Sequence, residues 1–197
     1  MNNTKMLLII CYKKHICIYG SAGVGKSFLI NKLKEQFKII TSARTGVAAD
    51  NVNGSTIDLL LHLNQQENML LYRSKGNEKL KTFDYIVIDE ISMIDGHKFD
   101  QILDRINFVN KKRCKRVGEI KLIICGDPLQ LPPVENDSGY FFNAGQFETF
   151  EKSSYTCVLR EVKWQNNKEF IDVLSRVRLG IKLKKISNIL EIWKIIK

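Results

Sequence analysis

His15-Ile16-Cys17-Ile18-Tyr19-Gly20-Ser21-Ala22-Gly23-Val24-Gly25-Lys26-Ser27 is the stretch that decides the fold of this 197-residue chain. Its first five residues read as a buried strand. The next eight fit the pattern of glycine, four residues, glycine, lysine, serine. A strand that turns sharply into a helix can aim its backbone N–H groups at phosphates, and glycines permit that close approach. Lys26 is then expected to hold the β- and γ-phosphates as a point charge, and Ser27 to offer its hydroxyl to magnesium. Gly20, Ser21, Ala22, Gly23, Val24 and Gly25 form the cradle.

Working outward, strands are expected at 38–41, 85–88, 120–125 and 155–159. Helical spacing appears after the glycine loop, with Phe28, Leu29 and Leu33 on the inner side. It recurs at Phe99, Ile102, Leu103, Ile106 and Val109, and at Phe170, Val173, Leu174 and Val177, where Gly180 would end the helix. Strands alternating with helices predict an α/β domain, a parallel sheet with helices on both faces. In such sheets ligands bind beyond the carboxyl ends of the strands. The residues of chemical interest fall there.

Asp89 and Glu90 close the 85–88 strand. Side by side they repel, so their pairing asks for a reason. Asp89 fits a magnesium-holding acid and Glu90 a general base for the attacking water; the structural alternative is a pair of acids at a helix N-terminus. Gly126-Asp127-Pro128-Leu129-Gln130-Leu131-Pro132-Pro133-Val134 follows the 120–125 strand. Gln130 is placed to bond a γ-phosphate or its water; alone, the stretch reads as a proline-rich loop.

Lys and Arg number 31 against 21 Asp and Glu, a net charge of +10. The excess favours a polyanion, nucleic acid before an acidic membrane surface, against the alternative of a solvated basic face. The basic run 111–116 reads as a solvated loop, with nuclear targeting or phosphate contact as the sharper alternative. Five cysteines, odd in number, show no metal or redox spacing. Free buried thiols in a reducing, intracellular compartment are expected, nucleus or cytoplasm. The apolar run 6–11 is too short to span a bilayer, and no membrane association is expected. Residues 65–81 read as a polar surface insertion, and 181–197 as a basic C-terminal helix or tail following a core over 1–180.

Taken together, GSAGVGKS (20–27), TSARTGVAADNVNGSTI (41–57), YIVIDEISMI (85–94), KLIICGDPLQLPPV (121–134) and VLREVKWQNNKEFIDVLSRVRLG (158–180) resemble the Pif-one-type, RecD-like branch of superfamily 1 DNA helicases. The resemblance implies a RecA-like P-loop core, ATP and Mg2+ as cofactors, and 5′ to 3′ translocation on single-stranded DNA. It implies roles in DNA repair, recombination and telomere maintenance. Lys26, Glu90 and Gln130 would be catalytic, and Ser27 and Asp89 would hold the metal. Thr45, Gly46, Gly54 and Thr56 lie in the segments that would meet the DNA backbone. The match accounts for one of the two cores that such helicases use, so a second core, in another chain, is an expected partner. A non-catalytic nucleotide- and nucleic-acid-binding module is the competing reading; a nucleotide kinase is disfavoured because kinases lack the DEISM and GDPLQLPPV pair. Three departures are notable. Trp164-Gln165 stands for an Arg-Gln pair, with Arg160 nearby as a substitute. No glutamine precedes the loop to read adenine, which leaves ATP over GTP open. Asp58 replaces a histidine, which would weaken a DNA contact.

Overall fold

The computed structural model describes residues 14–63, 80–113, 118–134, 139–163, 165 and 167–181. The expectations for 6–11, most of 65–81, 114–116, Trp164 and 184–197 lie outside the described residues. A six-stranded parallel sheet runs β3-β2-β4-β5-β1-β6. Its strands are β1 (His15–Tyr19), β2 (Ile39–Ala43), β3 (Ser55–Thr56), β4 (Tyr85–Asp89), β5 (Lys121–Gly126) and β6 (Ser154–Val158). Between them lie α1 (Lys26–Lys34), α2 (Gly46–Asn51), α3 (Ile57–Leu61), α4 (Gly96–Lys111) and α5 (Phe147–Lys152), and α6 (Lys168–Arg178) follows β6.

Successive side chains of a strand point to opposite faces, and the core obeys that period. Ile16, Ile18, Tyr85, Val87, Ile123 and Cys125 pack with Leu29, Ile30 and Leu33 of α1 on one face. Cys17, Ile86, Ile88, Leu122 and Ile124 pack with Phe99, Ile102, Ile106 and Val109 of α4 on the other. Both faces are therefore helix-covered, as the α/β reading expects. The central strands are uniformly apolar because both of their faces are dry. Burial and the neighbouring charge of Lys121 hold His15 down at about 4. Its neutral ring accepts the Leu122 amide at 2.9 Å through Nδ1.

Four expectations need correction. Phe28 is 65% exposed, and Ile30 takes its place in the core. β3 is a sixth strand of two residues, too short to show a period. Leu80, inside the stretch read as a surface insertion, is buried in the core. Arg113, in the run read as a solvated loop, is 8% exposed. Cys17, Cys125 and Cys157 are free thiols in strands, and burial raises all three above their ordinary value. Among the described residues no helix is long and apolar enough to cross a membrane.

Gly54 sits where the chain returns to pair β3 with β2. A Cβ there would lie 2.2 Å from the Thr41 carbonyl oxygen, so this backbone approach requires glycine. A Cβ on Gly46, at the start of α2, meets nothing within 4 Å among the described residues. Gly54→Ala is expected to destabilise by about 1–3 kcal/mol through forced displacement of β2. Gly46→Ala is expected to be neutral or stabilising by up to about 1 kcal/mol. Urea unfolding of the two variants checks the contrast.

Candidate nucleotide site

β1 ends at Tyr19, and the chain enters the loop through two anchors. The Gly20 amide donates to the Gly126 carbonyl at 3.1 Å, and the Leu159 amide to the Tyr19 carbonyl at 2.8 Å. Gly20 lies so close to β6's exit that a Cβ would be 2.6 Å from the Leu159 carbonyl oxygen. Gly23 and Gly25 adopt φ of 75° and 93°, the left-handed region that glycine enters without strain. Gly25 is the N-cap of α1, whose first turn carries no acid to compete for its amides. A helix start of this kind suits an anion. The Lys26 ammonium folds back across the loop and donates to the Gly20 and Ser21 carbonyls at 2.8 and 2.9 Å. Gly23, Gly25, Lys26, the exposed Ser27 and Phe28 line a cleft of about 350 Å³ together with Lys163.

Two strands along, β4 delivers Asp89 and Glu90. Asp89 Oδ1 accepts the Glu90 amide at 2.9 Å. Glu90 sits at φ 52°, a left-handed turn that ends the strand and re-aims the side chain. Burial first, then the charge of Asp89 and that of Asp127, push the Glu90 carboxyl up against the opposing pull of Lys26. A raised carboxyl is a stronger base once ionised, the property wanted of a group that takes a proton from water.

Between them β5 delivers Asp127, fully buried, and the turn behind it. Its carboxylate accepts the Leu129 amide at 3.1 Å, and its carbonyl accepts the Gln130 amide at 3.0 Å. Arg178 of α6 closes a two-pronged pair on the same carboxylate, Nε to Oδ2 at 2.5 Å and Nη2 to Oδ1 at 2.6 Å. Burial raises the Asp127 carboxyl, but the Arg178 bonds, the Leu129 amide and the charges of Arg178 and Lys26 outweigh it, leaving the group below the ordinary range. Gln130 shares one cavity wall with Ser21 and Ala22, and another with Glu90 and Met93. The three elements singled out in the sequence thus converge on one patch. Lys163 and Arg178 lie within the 158–180 stretch singled out above, but spacing alone assigned neither of them a place at this site. Only the fold brings them there, from 51 residues away in the case of Arg178. Arg160 is exposed and is not among the residues lining the cleft of Ser27; Lys163 is.

Ser27 and Asp89 carry a hydroxyl and a carboxylate oxygen, hard donors of the kind taken by magnesium, which binds through few protein ligands and keeps several waters. Among the described residues no group of three or more His, Cys, Asp or Glu could hold a metal. Phosphate oxygens and water would have to supply the rest.

Thr45 and Thr56 stand at the same edge of the sheet, beyond β2 and at the end of β3. Each caps a short helix, accepting the Ala48 amide at 3.2 Å and the Leu59 amide at 3.4 Å. Their hydroxyl protons stay available to an outside acceptor. Gly46 is open above α2, whereas Gly54 is explained by its packing on Thr41. Asp58 does not present a bare acid to this edge. It is bracketed by Arg44 at 2.5 Å and the nearly buried Lys98 at 2.7 Å.

A family model described as PIF1-like helicase matches residues 9–187. The ATP-dependent DNA helicase PIF1 of Xenopus laevis is 32% identical over 177 residues, covering 85% of this chain and 28% of the relative. The human protein of the same name is 34% identical, covering 82% of this chain and 26% of the relative. Among solved structures, Bacteroides Pif1 bound to ssDNA superposes with a TM-score of 0.77 at 26% identity, over 93% of this chain and 47% of that one. Bacteroides Pif1 in complex with ADP-AlF4 gives 0.73 at 25% identity, with the same coverage of both chains. The chain spans about a quarter of the length of these curated relatives and about half of the solved chains.

Because the fold raises the Glu90 carboxyl, its protonated form is favoured in the native state. The associated stability is fully present below the ordinary value of 4.5 and is lost as pH rises through the folded value. Glu90→Gln is therefore expected to raise Tm at pH 7, and the gain should shrink toward zero below about pH 4. Thermal unfolding across pH 4–8 checks the trend.

Proposed function

The chain belongs to the PIF1-like helicase family, and from that premise we propose that it is the ATP-binding and ATP-hydrolysing first core of a 5′ to 3′ DNA helicase. One observation carries the reading. Lys26, Glu90 and Gln130 stand beyond β1, β4 and β5, three strands that lie side by side in the order β4-β5-β1. A cation for phosphate, a base with a raised carboxyl and an amide therefore face one site, as phosphoryl transfer to water requires.

In this reading Lys26 exchanges the Gly20 and Ser21 carbonyls for phosphate oxygens. Ser27 and Asp89 hold magnesium, which when bound neutralises phosphate charge. Glu90 orients the attacking water and accepts its proton. Gln130, fixed by the Asp127 turn, bonds the terminal phosphate or that water. Single-stranded DNA lies along the β2 and β3 end of the same edge, where the Thr45 and Thr56 hydroxyls and the open backbone at Gly46 meet its phosphates. Such contacts position the strand without reading bases. Gly54 serves this segment by shaping it. A second core, in another chain or elsewhere in the protein, supplies the remaining cation for the transition state. Arginines of that kind contribute roughly a thousandfold or more, so this chain alone turns over slowly.

Lys26→Ala is expected to abolish MgATP binding by calorimetry, and equal affinity in the two proteins contradicts the reading. Glu90→Gln should keep binding and lose the slow phosphate release, so persistent turnover in that variant would remove Glu90 from its role. Affinity for single-stranded DNA should fall linearly on a log–log plot against salt and vary little with sequence, because phosphate contacts release counterions. Fluorescence anisotropy at several salt concentrations tests this, and a salt-independent or sequence-specific complex argues against the proposed edge.

A further inference from the structure

Lys163 reaches the glycine-loop cleft from a part of the chain to which neither the loop nor the two acidic strand ends belong. It lies five residues beyond β6, and its backbone amide donates to the Gly23 carbonyl at 2.9 Å. That bond fixes the residue against the loop independently of its side chain. Lys163 thereby lines the same cleft as Gly25, Lys26, Ser27 and Phe28. Its ammonium pairs with Glu161, two residues earlier. Both side chains are well exposed, 63% for Lys163 and 80% for Glu161. An ion pair so open to water is weak and readily exchanged. The pairing holds the Glu161 carboxyl below its ordinary range, so the partner is a carboxylate throughout the neutral range.

A polyphosphate in this cleft offers the ammonium several negative charges, where Glu161 offers one. Phosphate oxygens accept strong charge-assisted bonds from lysine. The exchange needs only side-chain rotation, since the main chain is already anchored to Gly23. We propose that Lys163 is a direct ligand of the nucleotide's phosphates, and that Glu161 is the partner it leaves when the nucleotide binds. The inference rests on the cleft being the nucleotide site. It adds to that site a second lysine, which lines the cleft with Lys26, and makes Glu161 a competitor that sets the affinity.

The test is calorimetry on the 197-residue chain with MgATP, MgADP and magnesium pyrophosphate, at low and high salt. Lys163→Ala should weaken all three by roughly tenfold, about 1.4 kcal/mol. Lys163→Arg should remain within about threefold of wild type. Glu161→Gln should tighten binding, and the gain should fade at high salt as screening removes the competition. Unchanged melting of the exposed variants confirms that they fold. Wild-type affinity in Lys163→Ala, or a loss confined to the nucleotides with pyrophosphate unaffected, overturns the proposal. It leaves the nucleotide site standing, provided that Lys26→Ala still abolishes binding. A wild-type chain that binds none of the three probes removes both readings.

Discussion

The charge of Lys26 is the constraint on which the strand-end chemistry depends. Asp89, Glu90 and Asp127 are gathered within a few strand widths, and carboxylates so placed repel one another. The Lys26 ammonium opposes that repulsion at both Glu90 and Asp127. It is itself held by two loop carbonyls. The loop therefore positions a cation for a ligand and also makes the neighbouring cluster of acids tolerable. Arg178 does the complementary task from α6, neutralising Asp127, the one of these three acids that is fully buried. At Glu90 the pull of Lys26 is outweighed by burial and by the charges of Asp89 and Asp127, and its carboxyl stays raised.

Much of this was legible beforehand, for identifiable reasons. The glycine loop carries its own signature because its backbone angles and close contacts restrict residue choice. The long α4 was readable because sixteen residues show their period clearly, and all five of its expected core positions are buried. The turn at Gly180 was readable too; its φ of 68° lets the amides of Gly180 and Ile181 bond back to Val177 and Arg176. Phe28 was misplaced because three adjacent apolar residues, Phe28, Leu29 and Ile30, leave the phase of a nine-residue helix ambiguous. α6 keeps an apolar stripe yet buries none of its residues, since its grip on the body is the Arg178 pair more than a packed face. Arg105 is fully buried in α4, where pattern alone puts a charge outside. Its Nε caps the Leu61 carbonyl at the end of α3. Such long-range polar bonds leave no trace in local spacing.

Asp58 has a setting that its place in the sequence does not reveal. Read from the sequence alone, it is an acid expected to weaken a DNA contact. In place, it lies between Arg44 and Lys98, so the local balance stays positive. The carboxylate also ties the start of α3 to β2's exit and to α4.

The strand order has a consequence for the history of each molecule. β1 is made early, yet its neighbours are β5 and β6; His15 meets Leu122 across 107 residues of sequence, and Ile16 pairs with Tyr155 beyond that. Until the chain has grown through Val158, this strand has no complete bed to lie in. β2, β3 and β4, by contrast, can assemble as soon as residue 89 has emerged. Non-local parallel pairing is slow to form and leaves apolar edges open meanwhile. The glycine loop, although it precedes five of the six strands, is thus among the last features of this sheet to be finished. A chain interrupted before β6 would carry the whole signature motif and still lack the strand that seats it.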